Sequence, residues 1–184
     1  MVISQENDSA THYMKEYKKQ LTGSDLALTG SNAIDALISS KKNTMVMNNI
    51  HFRYSSYPLH QLPINELDFC TILGNILDNA IEGTLRIKEP AKADAIHLAF
   101  SQSWNMFYLF CTNECLPDTI LTENGKWKSA KNDRDTLHAI GIKSIEHLVK
   151  KYNGHCRFSV QENHFHVKIV FPFEEIAEGT EIDV

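Results

Sequence analysis

The chain has 184 residues, 42% hydrophobic and 22% charged, with a formal net charge of −5 at pH 7. This length suits one domain with short appendages, and the composition can bury a core, which excludes a compositionally disordered chain. A net negative balance argues against a surface built to release counterions from nucleic acid, and no apolar run is long enough to cross a bilayer.

The N-terminal "MVISQENDSATHYMKEYKKQ" lacks the apolar core of a secretory signal. Residues 11–21 are polar and helix-favouring, which fits either a frayed tail or the end of a longer helix. "TGS" at 22–24 and "TGSN" at 29–32 read as punctuation and N-caps. From Asn32 onward, Ile34, Leu37 and Ile38 fall at helical spacing and predict a helix of about three turns. "IHFRYSSY" alternates as a half-buried strand does, and Pro58 and Pro63 then break the chain.

Residues 65–87 are the longest periodic segment, with Leu73, Ile76, Leu77, Ala80 and Ile81 forming one apolar stripe. "AIHLAFSQ" and "MFYLFCTN" predict two strands, with Trp104 and Asn105 near the turn between them. Residues 114–138 read as a long, polar, poorly periodic loop, either a functional segment or a disordered excursion. A helix follows with Ile145, Leu148, Val149 and Tyr152 on one face and Gly154 as its C-cap. "HCRFSVQE" and "HFHVKIVFP" predict an antiparallel hairpin around Glu162–Asn163, and an acidic tail ends the chain. The four cysteines have no framework-like spacing, which suits reduced thiols in a cytoplasmic protein. Cys111 and Cys115 invite a zinc reading, but no second CxxC or HxxxH partner follows. This order of elements predicts an α+β fold: a two-layer sandwich of a mixed, largely antiparallel sheet with helices on one face.

Opposite the apolar stripe, Asn75, Asp78, Asn79, Glu82 and Arg86 share a face. Asparagine is a poor helix former, so two of them a turn apart beside Gly74 need a reason. One reading is a solvated face with an acid–Arg86 pair. The other is a hard-cation site, because Mg²⁺ accepts carboxamide and carboxylate oxygens and keeps phosphate and water in its shell. "HAIGIKS", 138–144, places Gly141 where a loop runs into a helix, a position at which backbone N–H groups can approach phosphate. Lys143 and Ser144 add a charge and a hydroxyl there.

"LDFCTILGNILDNAIEG" resembles the N box of the gyrase, chaperone, histidine-kinase and mismatch-repair (GHKL) ATPase superfamily. "HAIGIKSIEHLVKKYNG" resembles its second glycine box and the helix after it, and "FHVKIVFP" its closing strand. The likeness covers roughly residues 25–172 and is greatest to the catalytic domains of Agr-type quorum-sensing histidine kinases. It implies a Bergerat-type fold over 25–173, an N-terminal segment (1–24) ending a dimerisation helix, and an acidic tail at 174–184. It implies Mg²⁺ and ATP as cofactors, with Asn79 as the metal ligand. Asn75 takes the place of a general base or of a polar group near the phosphates. Asp78 and Glu82 lie on the same face. Ser129 and Lys131 become nucleotide contacts in a lid formed by 114–138. His138, Ala139, Ile140, Gly141, Ile142 and Lys143 surround the phosphates.

The chain departs from the family pattern in three places. The first glycine box, DxGxG, is absent, which makes Asn113 the candidate adenine contact ahead of Asp118. Ala139 replaces a glycine, and Gly83 stands where alanine is usual. The resemblance implies phosphoryl transfer to a histidine outside this chain, since His12 lies in no matching motif. It also implies a response-regulator partner, a homodimer through upstream helices and a membrane-anchored parent with this part in the cytoplasm. The alternative is a degenerate, non-catalytic GHKL module serving regulation or dimeric interaction.

Overall fold

The computed structural model describes residues 29–55, 59, 61–90, 93–116, 120–123, 126–129 and 136–173, with the backbone alone for 120–140. The expected segments 1–24 and 174–184 lie outside the described residues. Helix α1 (Asn32–Met47) begins where the sequence offers a cap: the Ser31 side chain accepts from the Ile34 N–H. Buried Thr29 donates through its N–H and its hydroxyl to Asp35 Oδ1, at 2.9 and 2.8 Å. An N-cap serine and a first-turn acid both answer the unpaired N–H groups of a helix start. The helix is 16 residues long, about four and a half turns. It outruns the three turns expected because Met45 continues the buried row of Ile34 and Ile38. Asn49, at φ 57, ends it: its N–H donates to Val46 O and that of Ile50 to Met45 O. This is a Schellman ending with asparagine in the left-handed position.

Strand β1 (Phe52–Ser55) leads to helix α2 (Glu66–Leu85), where Asn65 Oδ1 accepts from the Leu67 and Asp68 N–H groups. The expected stripe is buried and extends to Phe69, Ile72 and Thr84. The Thr84 hydroxyl tolerates burial by donating to Ala80 O at 3.0 Å. Burying one such apolar side chain is worth about 1.5–3 kcal/mol, so this stripe, more than helix propensity, holds α2 in place.

The stripe packs on a five-stranded sheet built from β1, β2 (Ile96–Ser103), β3 (Met106–Glu114), β6 (His155–Gln161) and β7 (His164–Pro172). The strand order is β1-β2-β3-β7-β6; β1 and β2 run parallel and the other neighbours antiparallel, as the sequence predicts for a mixed sheet. From Ile96 to Phe100 in β2 and from Phe107 to Asn113 in β3, every second residue is buried beneath the helices: Ile96, Leu98 and Phe100, then Phe107, Leu109, Cys111 and Asn113. Phe69 of α2 meets Phe100 and Phe107 edge-on, each at 5.6 Å between centroids, a favoured aromatic geometry. The β6–β7 turn has both Glu162 (φ 49) and Asn163 (φ 63) left-handed, as a two-residue type I′ hairpin requires.

Two details differ from the sequence reading. The stretch 114–138 is not one irregular loop, because β4 (Ile120–Glu123) pairs with β5 (Lys126–Ser129) and helix α3 (Thr136–Lys151) begins within it. The signal was present in Asn124–Gly125, the dipeptide favoured between hairpin strands, but four-residue strands leave little periodicity to detect. At the end of α3, Gly154 is not the left-handed residue. Asn153 is, at φ 54, while the Asn153 and Gly154 N–H groups close onto Lys150 O and Val149 O. Gly154 is needed because a Cβ there would lie 2.6 Å from Cδ1 of buried Phe171.

Helices α2 and α3 are also tied by polar contacts. Asp68 Oδ2 accepts from Lys151 Nζ at 2.7 Å and from the Tyr152 hydroxyl at 2.6 Å. Those donors, Lys151 first, hold the Asp68 carboxyl below its ordinary value of 3.8.

Gly154→Ala should cost about 1–3 kcal/mol by overpacking, read as a lower urea midpoint, whereas Asn153→Gly should stay within about 0.5 kcal/mol of the parent. An equal response would show that the turn conformation, and not Phe171, selects the glycine. For Asp68 the folded-state pKa lies below the unfolded one. Its stabilisation is therefore present at neutral pH and is lost as pH falls below 3.8 toward the depressed value. The parent should be more stable than Asp68→Asn at pH 7, with the gap closing in acid. A gap independent of pH in urea melts would refute this linkage.

Candidate functional site

The polar side of α2 divides into two parts. Asp78 turns to α1, where its Oδ1 lies 2.5 Å from Lys41 Nζ, so its carboxylate joins two helices. Asn75 and Asn79 meet α3. A Cβ placed on Gly141 would lie 3.6 Å from the Oδ1 atoms of both asparagines and 3.7 Å from Asn79 Nδ2. The Asn75 amide nitrogen donates back to Thr71 O at 3.0 Å, which fixes its flip and leaves its oxygen on the Gly141 side. The structure thus brings the N-box asparagines and the "HAIGIKS" glycine together across a helix pair.

Gly141 contributes in a different way from the one its position in the sequence suggests. It is the sixth residue of α3, beyond the first four N–H groups that a helix start leaves unpaired. Its contribution is a missing side chain beside two carboxamides, which a Cβ there would touch at ordinary contact distance. His138 and Ala139 lie in the first turn, with Ile140 before Gly141. The backbone alone is described there, as it is for Ser129 at the end of β5, and Lys131 lies outside the described residues. Of the remaining candidates, Ile142 is half-buried, and Lys143 and Glu82 are exposed.

The second contact lies two turns along the same face of α2. Asn75, Asn79 and Gly83 are spaced i, i+4 and i+8, about 12 Å along the helix axis. Gly83 faces Asn113 of β3, which is buried at 2% exposure and donates from Nδ2 to Glu114 O at 2.8 Å. The candidate site therefore runs along α2 from the Gly141 contact to a buried amide. Sequence reasoning singled out Asn113 but gave no reason for Gly83. Lys41 was missed, because only the fold brings α1 to Asp78.

The chemistry of this donor set suits a nucleotide with a hard cation. Neutral amide oxygens ligate Mg²⁺ without adding negative charge beside phosphates. Cys111 is a poor metal ligand, since burial pushes its thiol up to about 12. Among the described residues no three His, Cys, Asp or Glu side chains converge on a metal position.

The frame recurs in solved structures. The catalytic domain of histidine kinase ThkA superposes with a TM-score of 0.60 at 15% identity, covering 77% of this chain and 91% of that one. Histidine kinase AdeS of Acinetobacter baumannii gives 0.55 at 10% identity, covering 77% of this chain and 64% of that one. The histidine kinase domain of the blue-light activated kinase EL346 of Erythrobacter litoralis gives 0.53 at 12% identity, covering 77% and 60%. No curated protein matches the chain. The GHKL domain model matches residues 64–172, a span that holds α2, the sheet from β2 onward and α3. With that match over more than half of its length, the chain belongs to the GHKL domain family.

Proposed function

We propose that this domain binds Mg·ATP between α2 and α3 and serves as the catalytic part of a sensor histidine kinase, passing the γ-phosphoryl to a histidine outside this chain. The observation that carries the reading is the close approach of Gly141 to Asn75 and Asn79, whose amide oxygens a Cβ at 141 would meet at 3.6 Å. Asn79 would hold the metal and Asn75 would orient the phosphate end, while Asn113, about two turns along α2, would meet the base. Mg²⁺, when bound, supplies charge neutralisation at the phosphates. The protein's own work is then to orient the nucleotide and exclude water, which suits phosphoryl transfer, where positioning and electrostatics carry most of the rate.

The Agr-type resemblance of the N box and second glycine box supports a parent that acts in peptide quorum sensing, with a homodimer through upstream helices and a response-regulator partner. No helix among the described residues is long and apolar enough to cross a membrane.

Gly141→Ala separates binding from folding. Its Cβ would sit at ordinary contact distance and the position has no left-handed φ, so alanine should stabilise α3 by up to about 1 kcal/mol. The same methyl fills the space before both amide oxygens, so calorimetry should show affinity for Mg·ATP falling at least about tenfold. Lower stability with unchanged affinity would contradict this assignment. Asn79→Ala should remove Mg²⁺-dependent binding of a non-hydrolysable ATP analogue. No binding by the parent at millimolar analogue would leave the non-catalytic module. Transfer of labelled phosphate to a histidine-containing acceptor domain would test the kinase step itself.

A further inference from the structure

The side of the sheet turned away from the helices carries two cations in an unfavourable place. Alternate residues of β3 and β7 are buried in the core, and those between them face outward. The pairing register sets Phe110, Lys168 and Arg157 side by side on this outward face, with Tyr108 and Val170 in the next row. Tyr108 and Phe110 stack in parallel with 6.2 Å between centroids, and both are half-buried. Lys168 and Arg157 are exposed and directly opposite each other in neighbouring antiparallel strands. Like charges in that position repel and weaken a sheet. Neither forms an ion pair with a described residue. An acidic group lying over both would replace one repulsion with two attractions.

The sequence holds a segment with that chemistry at the border of the same face. The chain has 18 Lys and Arg against 23 Asp and Glu. Five of those acids, Glu174, Glu175, Glu178, Glu181 and Asp183, fall within 174–184, which has no Lys or Arg. Outside it 18 acids balance the 18 bases, so this segment holds the whole net charge of −5. Its starting point is fixed. Phe173, just before it, donates from its N–H to Asn105 O at 2.9 Å and accepts at its carbonyl from Asn105 Nδ2 at 3.1 Å. Lys168 lies roughly 17 Å back along β7 from Phe173. A chain of this length can span about 36 Å, so acids from Glu178 onward can reach Lys168 and Arg157.

We propose that the outward face of the sheet is a docking surface for this chain's own acidic segment, residues 174–184. Its carboxylates neutralise Lys168 and Arg157, and Ile176 and Ile182 supply apolar cover for the Tyr108–Phe110 stack. The segment thereby occupies, on the side away from the Asn75–Asn79 edge, the surface at which an acidic stretch of another protein would otherwise bind.

The test compares the full chain at low salt with a variant carrying Glu178→Gln, Glu181→Gln and Asp183→Asn. Amide resonances of residues 108–110, 155–157 and 168–170 should shift between the two, with little change elsewhere in the described fold. A synthetic peptide of residues 174–184 added to the variant should move the same resonances back. Salt at about 1 M, which cuts the screening length to about 3 Å, should abolish both effects. No shifts, or shifts confined to other surfaces, would overturn the proposal. Shifts that grow with protein concentration would give the segment to a second copy and overturn docking within one chain.

Thermal melts supply a second measurement. Lys168→Gln should raise the Tm by about 1–4 °C in the neutralised variant, where only the repulsion from Arg157 remains. In the parent, where an attraction is lost as well, it should lower the Tm or leave it unchanged. The same change in both backgrounds would show that the acids do not act on Lys168, against the proposal.

Discussion

The site depends on how closely α2 approaches its neighbours. One face of the helix is committed to the core through eight buried residues from Phe69 to Thr84. The adjoining edge must then serve as a wall of the site without rotating, because a turn of the helix would lift that stripe off the sheet. One position without a side chain sets the spacing: Gly83 lets the end of β3 come against α2 through Asn113, whose Nδ2 a Cβ there would meet at 2.9 Å, while at Gly141 a Cβ would meet Asn75 and Asn79 at ordinary contact distance. Close packing makes such approaches all-or-none: a methyl either fits or forces a shift.

The same logic explains the distribution of glycine and asparagine. Gly83 and Gly154 each lie where a Cβ would come within 3.0 Å of a neighbour, and Gly141 where it would meet Asn75 and Asn79 at 3.6 Å, none of them in the left-handed region. The left-handed positions at the ends of α1 and α3 and in the β6–β7 turn fall instead to Asn49, Asn153, Glu162 and Asn163. Asparagine tolerates that conformation better than most residues, and among the described glycines Gly30 also adopts it, at φ 89.

Polar contacts orient the helices that the core holds. Ser31 donates to Glu66, joining the starts of α1 and α2, and Lys41 pairs with Asp78 further along. Asp68 joins α2 to the end of α3. Exposed pairs of this kind contribute little to stability individually. Their geometric effect is larger, since α2 is fixed on both flanks and the Asn75–Asn79 edge keeps its distance from Gly141.

The sequence by itself determined most of the elements and their layering, the β4–β5 pair apart. Hydrophobic period 3.6 marked α2 and α3, period 2 marked β2, β3 and β7, and the order of elements implied a mixed sheet with helices on one side. Those signals survive in one dimension because each face must be apolar at a regular interval wherever it packs. The N-box asparagines were legible too, as poor helix formers placed where nothing local favours them. Tertiary structure alone decided the rest. Whether Gly154 serves a turn or Phe171, why Gly83 is not alanine, and which partner Asp78 takes depend on residues brought close only by folding, and neither composition nor periodicity records a distance across an interface.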